Sequence, residues 1–280
     1  MVSSNNKYIK NALFLSYTSL SDFLKCPHSF YLKNLYRDPK SGHRLQIASP
    51  YLSLGSTVHD AIKWFLEIQG QANLDQLIKK YRNLWLKFTG KRGGFASREE
   101  EAVFGKRGLL MMENFYKNWQ ILGKSAPHIN FPKYNLVENV VLTGNFDFVG
   151  EKKDGTLWVV DFKTGVTDKK DPLQLYLYAI LAENNFGKKV TQASFWYLDR
   201  ESSPSPVVLE PLEGQVQWLQ EKGQEVKKAV EKGQWVCIKN EMEDICNECQ
   251  IYQALKDGQG EFQFSDFRFK KDVYYLNKFP

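Results

Sequence analysis

The sequence VVDFKTG, residues 159–165, closes a run of four apolar residues, Leu157–Val160, with an aspartate, an aromatic residue and a lysine. The apolar run predicts a buried β-strand. Charged side chains are rarely buried without a partner, so the end of this strand requires compensation. Because side chains alternate along a strand, Asp161 and Lys163 point to one face and Phe162 points to the other.

A second acid in an apolar setting, Asp147, lies between two phenylalanines on the preceding predicted strand. Asp154-Gly155 marks the turn between the two strands. If the turn is of the three-residue kind with a left-handed glycine, Asp147 faces Asp161, whereas a two-residue turn would place the two acids on opposite faces. Facing carboxylates about 5 Å apart destabilise a sheet unless they are neutralised. A divalent cation such as Mg²⁺ or Mn²⁺ between them, with Lys163 alongside, would form a phosphodiester-cleaving centre.

The alternative interpretation of this segment is an ordinary strand edge. An Asp-x-Lys pattern at the end of a strand is common, and taken alone it is typical of a solvated ion pair. The surrounding sequence has to decide between the two interpretations.

The composition predicts a soluble globular protein with one sizeable core. The chain has 280 residues, of which 42% are hydrophobic and 25% are charged. No apolar run approaches the roughly 18 residues of a membrane span, and the first residues, MVSSNNKYIKN, lack the apolar centre of a secretory signal. We therefore expect no membrane partner and a cytoplasmic location. The net charge of +6 and the pI near 8.9 weakly favour a nucleic-acid partner.

The first and last portions of the chain are predicted to be mainly helical. Residues 1–130 carry helical patterns, with Ser19 or Ser21 as a candidate helix cap and a glycine-rich basic loop, GKRGG, that starts at Gly90. Residues 211–280 predict one long helix, a cysteine cluster and an aromatic, basic tail.

The middle portion, residues 131–210, predicts a small sheet. Asp171-Pro172 is expected to begin a helix in this portion, because aspartate caps helices and proline suits the first helical position. Predicted strands cover residues 135–142, 144–151, 156–163 and 190–199. We expect the three portions to form a single α/β domain of residues 1–280, with a small mixed sheet flanked by helices.

Three motifs resemble, in order and spacing, the RecB-like branch of the PD-(D/E)XK nucleases: GNFD at 144–147, DFK at 161–163 and QLYLY at 174–178. That branch includes the nuclease domains of RecB and AddB and the small CRISPR-associated adaptation nucleases. The resemblance covers about residues 55–182 and implies a restriction-endonuclease-like core. It also implies that Mg²⁺ or Mn²⁺ acts at the active site.

The resemblance assigns a role to each motif residue. The implied catalytic residues are Asp147, Asp161, Lys163, Gln174 and Tyr178. Gln174 and Tyr178 are four residues apart on one helix face, where they would contact the lysine, a water molecule or a DNA phosphate.

The implied metal ligands are Asp147, Asp161, the backbone carbonyl of Phe162, and His59. A single histidine on a helix is more often a structural group than a ligand. The GSTVHDA context of His59, however, resembles that of the histidine with which RecB-like nucleases bind metal. Glu138 is expected at most to assist from outside this set of metal ligands.

The four cysteines form a second set: Cys26 lies near the start of the chain, and Cys237, Cys246 and Cys249 cluster near its end. Because cytosolic disulfides are rare, metal ligation is the favoured interpretation. One early and three late cysteines resemble the [4Fe–4S] site that joins the chain ends in AddB-type nucleases. Those nucleases usually place their last cysteine where this chain has Leu255, so Cys237 would have to replace it. Zinc stays open as the alternative metal.

The aromatic, basic tail has two interpretations. Aromatic rings interleaved with cations could stack on the bases of single-stranded DNA. The favoured interpretation is an edge strand packed on the core. The rings concerned are those of Phe262, Phe264, Phe267 and Phe269.

These observations together predict a Mg²⁺- or Mn²⁺-dependent deoxyribonuclease. The resemblance favours an exonuclease that acts on single-stranded DNA or DNA ends, in recombination, repair or CRISPR spacer acquisition, with a helicase or CRISPR integration proteins as partners. Lys169 and Lys170, just after DFKTG, are the favoured DNA contacts among the paired lysines. The two alternatives are a DNA-binding subunit without useful activity and a structure-specific endonuclease.

Overall fold

The computed structural model of the protein describes residues 12–167, 171–238 and 245–277. Lys169 and Lys170, predicted to contact DNA, lie outside the described residues. The helices are α1 (Tyr17–Lys25), α2 (Pro27–Phe30), α3 (Pro50–Glu67), α4 (Leu74–Trp85), α5 (Arg98–Asn118), α6 (Leu173–Phe186), α7 (Leu212–Lys232) and α8 (Asn247–Lys256). The strands are β1 (Leu13–Leu15), β2 (Arg44–Ile47), β3 (Lys133–Val137), β4 (Val140–Thr143), β5 (Phe148–Glu151), β6 (Leu157–Lys163), β7 (Val190–Tyr197), β8 (Ser205–Val207), β9 (Glu261–Asp266) and β10 (Lys271–Tyr275).

The strand that carries VVDFK, β6, lies inside a four-stranded mixed sheet of order β5-β6-β7-β8. It pairs antiparallel with β5 and parallel with β7. Trp158, Val160 and Phe162 pack against α3 and α5, whereas Leu157 and Val159 pack against α6 on the opposite face. The predicted alternation is therefore confirmed, and the fold is the α/β class that the sequence predicts.

The hairpin between β5 and β6 has the three-residue turn. Gly155 adopts a left-handed conformation with φ of 82°, and Phe148 pairs with Val160 in the ladder. One residue beyond this pair, Asp147 lies opposite Asp161. The register on which the metal hypothesis depends is thus confirmed.

The predicted single strand over residues 135–142 is wrong, because this segment forms the hairpin of β3 and β4. The chain turns at Glu138 and Asn139, and Asn139 takes a positive φ of 60° that asparagine tolerates better than most residues. Strand β1 pairs parallel with β4 and completes a second sheet of order β1-β4-β3.

Helix α6 packs between these two sheets. Leu177 and Ile180 contact the cluster that contains β4, while Leu175 and Ala182 contact the cluster beneath β6. A helix with apolar residues all round is buried on most of its surface, and this double burial fixes its position. The N-cap of α6 is Pro172, one position later than the predicted Asp171.

The cap of α1 also differs from the prediction. Ser16 is the N-cap, and its hydroxyl accepts a hydrogen bond from the backbone N–H of Ser19. Ser19 is the third helical residue of this capping box, so neither Ser19 nor Ser21 is the cap.

A third sheet, of order β2-β10-β9, joins distant parts of the chain. The tail does form an edge strand, β9, as predicted. The predicted packing of its rings on the core is wrong for three of them: the exposed fractions are 54% for Phe262, 77% for Phe267 and 52% for Phe269.

Among the described residues, no helix combines the length and the apolar character that a membrane crossing requires.

The packing of α4 against α5 provides a matched pair of substitutions. A Cβ added at Gly108 would lie 2.0 Å from the hydroxyl of the buried Tyr81, whereas a Cβ at Gly105 would lie 3.8 Å from Trp85. We expect Gly108→Ala to lower the free energy of unfolding by about 1–3 kcal/mol, because the core becomes overpacked. Gly105→Ala should raise it by roughly 0.5–1 kcal/mol through helix propensity. Urea denaturation measures both, and equal effects of the two substitutions would contradict this packing.

Candidate active site

The side chains that the sequence predicts as catalytic come from four elements and converge on one cavity of about 360 Å³. His59 comes from α3, Asp147 precedes β5, and Asp161 and Lys163 end β6. Gln174 and Tyr178 come from the first turns of α6. The cavity is also lined by Phe162, Thr164, Gly165 and Thr167.

The carboxyl group of Asp161 is almost fully buried, with 1% of the residue exposed. Burial, together with the nearby charge of Asp147, raises its pKa to about 7. The Nζ of Lys163 lies 2.5 Å from Oδ2 of Asp161, within ion-pair distance. Among the described residues this ammonium group is the charge that faces Oδ2, which is otherwise without a hydrogen-bond donor. A buried carboxylate oxygen with one such contact has room for a further ligand.

Asp147 is held by two donors. Its Oδ2 accepts a hydrogen bond of 2.9 Å from the backbone N–H of Phe162, which sets it across from β6. Its Oδ1 lies 2.8 Å from Nδ1 of His59. Burial lowers the pKa of His59, but the charge of Asp147 outweighs this effect and raises the pKa to about 9. His59 and Lys163 therefore supply the positive charge that balances the two acids.

Gln174 connects the lysine to the acid. Its Oε1 accepts a hydrogen bond of 2.6 Å from Lys163, and its Nε2 donates to Oδ1 of Asp161 at 2.6 Å. The same Nε2 donates to the hydroxyl of Tyr178 at 3.2 Å. Burial raises the pKa of Tyr178 well above its usual value, so this hydroxyl stays neutral. The predicted contact between Gln174 and the lysine is therefore present.

The donor set at this cavity fits a hard divalent cation. Two carboxylates, an imidazole and the backbone carbonyl of Phe162 are oxygen and nitrogen donors of the kind that Mg²⁺ and Mn²⁺ accept. The buried Oδ2 of Asp161 contacts the Lys163 ammonium but has no other donor among the described residues, so this oxygen can accept a cation. A cation at this position would also remove the repulsion between Asp147 and Asp161.

Two residues that line the cavity were not predicted from the sequence. Thr164 and Thr167 directly follow DFK, and their closeness to that motif was the available signal. Arg107 on α5 donates a hydrogen bond of 3.1 Å to the carbonyl of Thr164 and pairs with Asp199 at 3.5 Å. No local pattern around Arg107 indicates that it anchors the end of β6.

Glu138 is not part of the site, although it was expected at most to assist from outside the set of metal ligands. It lies in the turn between β3 and β4, its side chain is 82% exposed, and it pairs with Lys227 at 3.6 Å. The reason is the unpredicted hairpin, which turns Glu138 away from β5 and β6.

The four cysteines meet at a second site. Their sulfur atoms all lie within 4.8 Å of one another, and none forms a disulfide. Cys26 joins α1 to α2, Cys246 caps α8 and Cys249 lies within α8. Cys237 is the fourth cysteine of this group, as expected because the chain has a leucine at position 255. Four convergent thiols can bind a metal ion or cluster.

Comparison with protein families matches residues 14–254 to the PD-(D/E)XK nuclease superfamily. The chain belongs to this superfamily. PD-(D/E)XK proteins are generally phosphodiester-cleaving nucleases that use divalent metals. The matched region contains all the side chains of the cavity and the four cysteines. No curated protein sequence matches the chain.

The donor set can be tested by metal-dependent melting. Because a ligand that binds only the folded state stabilises it, Mn²⁺ at about 100 times its dissociation constant should add about 2.7 kcal/mol to the free energy of unfolding. We expect Mn²⁺ to raise the melting temperature of the wild type and of the surface control Asp154→Asn. Asp161→Asn should show a much smaller rise, and an equal rise in all three proteins would exclude Asp161 as a ligand.

Proposed function

We propose that the protein is a metal-dependent deoxyribonuclease of the RecB-like branch, acting as an exonuclease on single-stranded DNA or DNA ends. The observation that carries this proposal is the pair of facing carboxylates, Asp147 and Asp161, with Lys163 and His59 within ion-pair distance. Superfamily membership of residues 14–254 supports the nuclease chemistry.

In this proposal His59, Asp147, Asp161 and the carbonyl of Phe162 hold a divalent cation. When bound, that cation supplies Lewis-acid charge and lowers the pKa of a water molecule. The Phe162 N–H orients Asp147, since it donates to Oδ2 while Oδ1 contacts Nδ1 of His59 beside the cavity.

Lys163 is the proposed charge-stabilising residue. Its ammonium group borders the cavity and stabilises the negative charge that develops on the phosphate in the transition state. Gln174 fixes the lysine relative to Asp161, and Tyr178 fixes Gln174 through the third hydrogen bond. This chain of contacts holds the ammonium group in place before substrate arrives.

The RecB-like assignment is supported by the motifs and the cysteines. GNFD, DFK and QLYLY occur in the order and spacing of that branch. The convergence of Cys26 with three late cysteines is also typical of AddB-type nucleases. On this basis we propose a role in recombination, repair or CRISPR spacer acquisition, with a helicase or integration proteins as partners.

For the cysteine site we propose a structural [4Fe–4S] cluster that joins both ends of the chain, as the resemblance implies. A single zinc ion is the second candidate, because one observation favours it. A tetrahedron with zinc–sulfur bonds of about 2.3 Å has sulfur separations of about 3.8 Å. Cys26 lies 3.7 Å from Cys237 and 3.6 Å from Cys249, measured between sulfur atoms.

A nuclease assay on labelled strands tests the proposed activity. We expect the wild type to degrade end-labelled linear single strands with Mg²⁺ or Mn²⁺ and to leave circular single strands intact. Lys163→Ala should lose about 100- to 1000-fold in rate, because a preorganised charge at the phosphate is lost. Lys153→Ala, in the exposed β5–β6 turn, is the matched control and should keep full activity.

Three other results would change the assignment. Cleavage of circles would indicate an endonuclease. Strand binding without cleavage would indicate the DNA-binding subunit. Unchanged activity of Lys163→Ala would remove the site assignment, provided that its melting temperature shows a folded protein.

Metal analysis of anaerobically purified protein tests the cysteine site. We expect a brown protein with about four iron atoms per chain. Cys26→Ser should lose the metal and melt at a lower temperature, because metal binding contributes directly to folding stability. A colourless protein with one zinc ion per chain would contradict the cluster and support the second candidate.

A further inference from the structure

A second concave surface lies along the stripe of α3 next to the one that carries His59. This groove has a volume of about 790 Å³ and runs between α3 and the β2-β10-β9 sheet. We define the cationic groove by five of its lining residues. They are Arg44, Lys87, Arg92, Arg268 and Lys271.

Arg44 and Lys271 carry like charges at directly opposed positions. They pair in register across the parallel strands β2 and β10. Like charges in this arrangement destabilise a sheet. Burial, together with the charge of Arg44, lowers the pKa of Lys271. Asp266 faces Lys271 from β9 and its charge partly offsets this lowering of the pKa, although the two side chains form no ion pair among the described residues.

None of the five groove cations has a carboxylate partner among the described residues, although neighbouring lysines do. Lys91, next to Arg92, pairs with Glu261 at 2.6 Å. Lys33, which also borders the groove, pairs with Asp22 at 3.0 Å and with Glu248. Six cations and three aspartates, Asp22, Asp60 and Asp266, line the groove, so its net charge is positive, and this is the arrangement expected of an anion-binding surface.

Aromatic rings are interleaved with these cations. The guanidinium of Arg92 lies 4.5 Å from the ring centre of Phe264, and that of Arg268 lies 5.2 Å from the ring centre of Phe269. Phe269 remains 52% exposed. Flat groups alternating with cations are typical of surfaces that bind single-stranded nucleic acid, whose bases stack on rings and guanidinium planes while its phosphates contact the cations. A duplex would offer only its phosphates, because its bases are stacked inside.

Helix α3 connects the groove to the active site. Ser49, Ser53, Ser56 and Asp60 lie along the groove, and at 1.5 Å per residue they span about 16 Å. The adjacent stripe of the same helix carries His59, which lines the active-site cavity. A strand that lies in the groove along α3 therefore ends beside that cavity.

We propose that the cationic groove binds a single-stranded nucleic acid and leads it along α3 to the active site. The destination of the strand rests on the proposed function, whereas binding in the groove does not.

Fluorescence anisotropy with the full-length protein tests this proposal. Labelled deoxythymidine, uridine and hairpin-duplex oligonucleotides are titrated in EDTA, so that cleavage does not occur. The triple variant Arg44→Gln, Arg92→Gln and Lys271→Gln is compared with a control of equal net charge, Lys91→Gln, Lys153→Gln and Lys189→Gln. We expect the groove variant to weaken single-strand binding about tenfold or more. The slope of log K against log salt should fall in magnitude by about 2, because each single-strand phosphate contact contributes about 0.7.

The control should bind like the wild type, and the duplex should bind more weakly than either single strand. A preference for the deoxythymidine or the uridine strand identifies the sugar that the groove accepts, and either preference supports the groove. Equal losses in the two triple variants would mean non-specific charge attraction and would overturn the proposal. Duplex binding as tight as single-strand binding would overturn it as well.

The single variant Arg92→Gln guards against misfolding of the triple variant, since Arg92 is exposed on a short helical turn. It should weaken single-strand binding severalfold at an unchanged melting temperature. If the wild type binds through the groove but cleaves nothing, the proposed function is wrong and the groove proposal holds. If the wild type cleaves and no groove variant alters binding, the groove proposal is wrong and the proposed function holds.

Discussion

The structure depends on one electrostatic constraint: the hairpin register of β5 and β6 places Asp147 opposite Asp161 at the end of a buried strand. Two carboxylates so placed repel each other, and burial raises the pKa of Asp161 to about 7. Three elements supply side chains that compensate this charge. His59 comes from α3, Lys163 from β6 itself and Gln174 from α6. His59 and Lys163 balance the two acids, and Oδ2 of Asp161 can still accept a cation because Lys163 is its one charged contact among the described residues.

The fold holds this point rigid because β6 is buried on both faces. One face packs on α3 and α5 and the other on α6, so neither the strand nor the two helices that contribute site residues can shift independently. The ends of the chain are held separately. The third sheet pairs β2 with β10, and the cysteine site joins Cys26 to α8. These two connections place the tail of the chain beside α3, and they create the cationic groove next to the catalytic core.

The sequence alone predicted the parts of the site that follow from local rules. The Asp154-Gly155 turn and the alternation along β6 reduced the placement of Asp147 to two registers, and the structure shows the three-residue turn that places it opposite Asp161. The hairpin at Asn139 was missed because Glu138-Asn139 interrupts an otherwise continuous apolar pattern only weakly. The pairing of β2 with β10 was missed because it joins segments about 230 residues apart in short strands. Arg107 contacts Thr164, just beyond β6, across a sequence separation of 57 residues, which no local pattern reveals.

The most direct test of the central claim is the anomalous-scattering map of a crystal soaked in Mn²⁺. We expect a strong manganese peak between the carboxylates of Asp147 and Asp161, within coordination distance of His59 or the Phe162 carbonyl. We also expect the Nδ1 contact between His59 and Asp147 to lengthen as the cation takes over the charge balance. A map without a peak at this cavity, from a crystal in which both aspartates are ordered, would contradict a metal site between the two carboxylates.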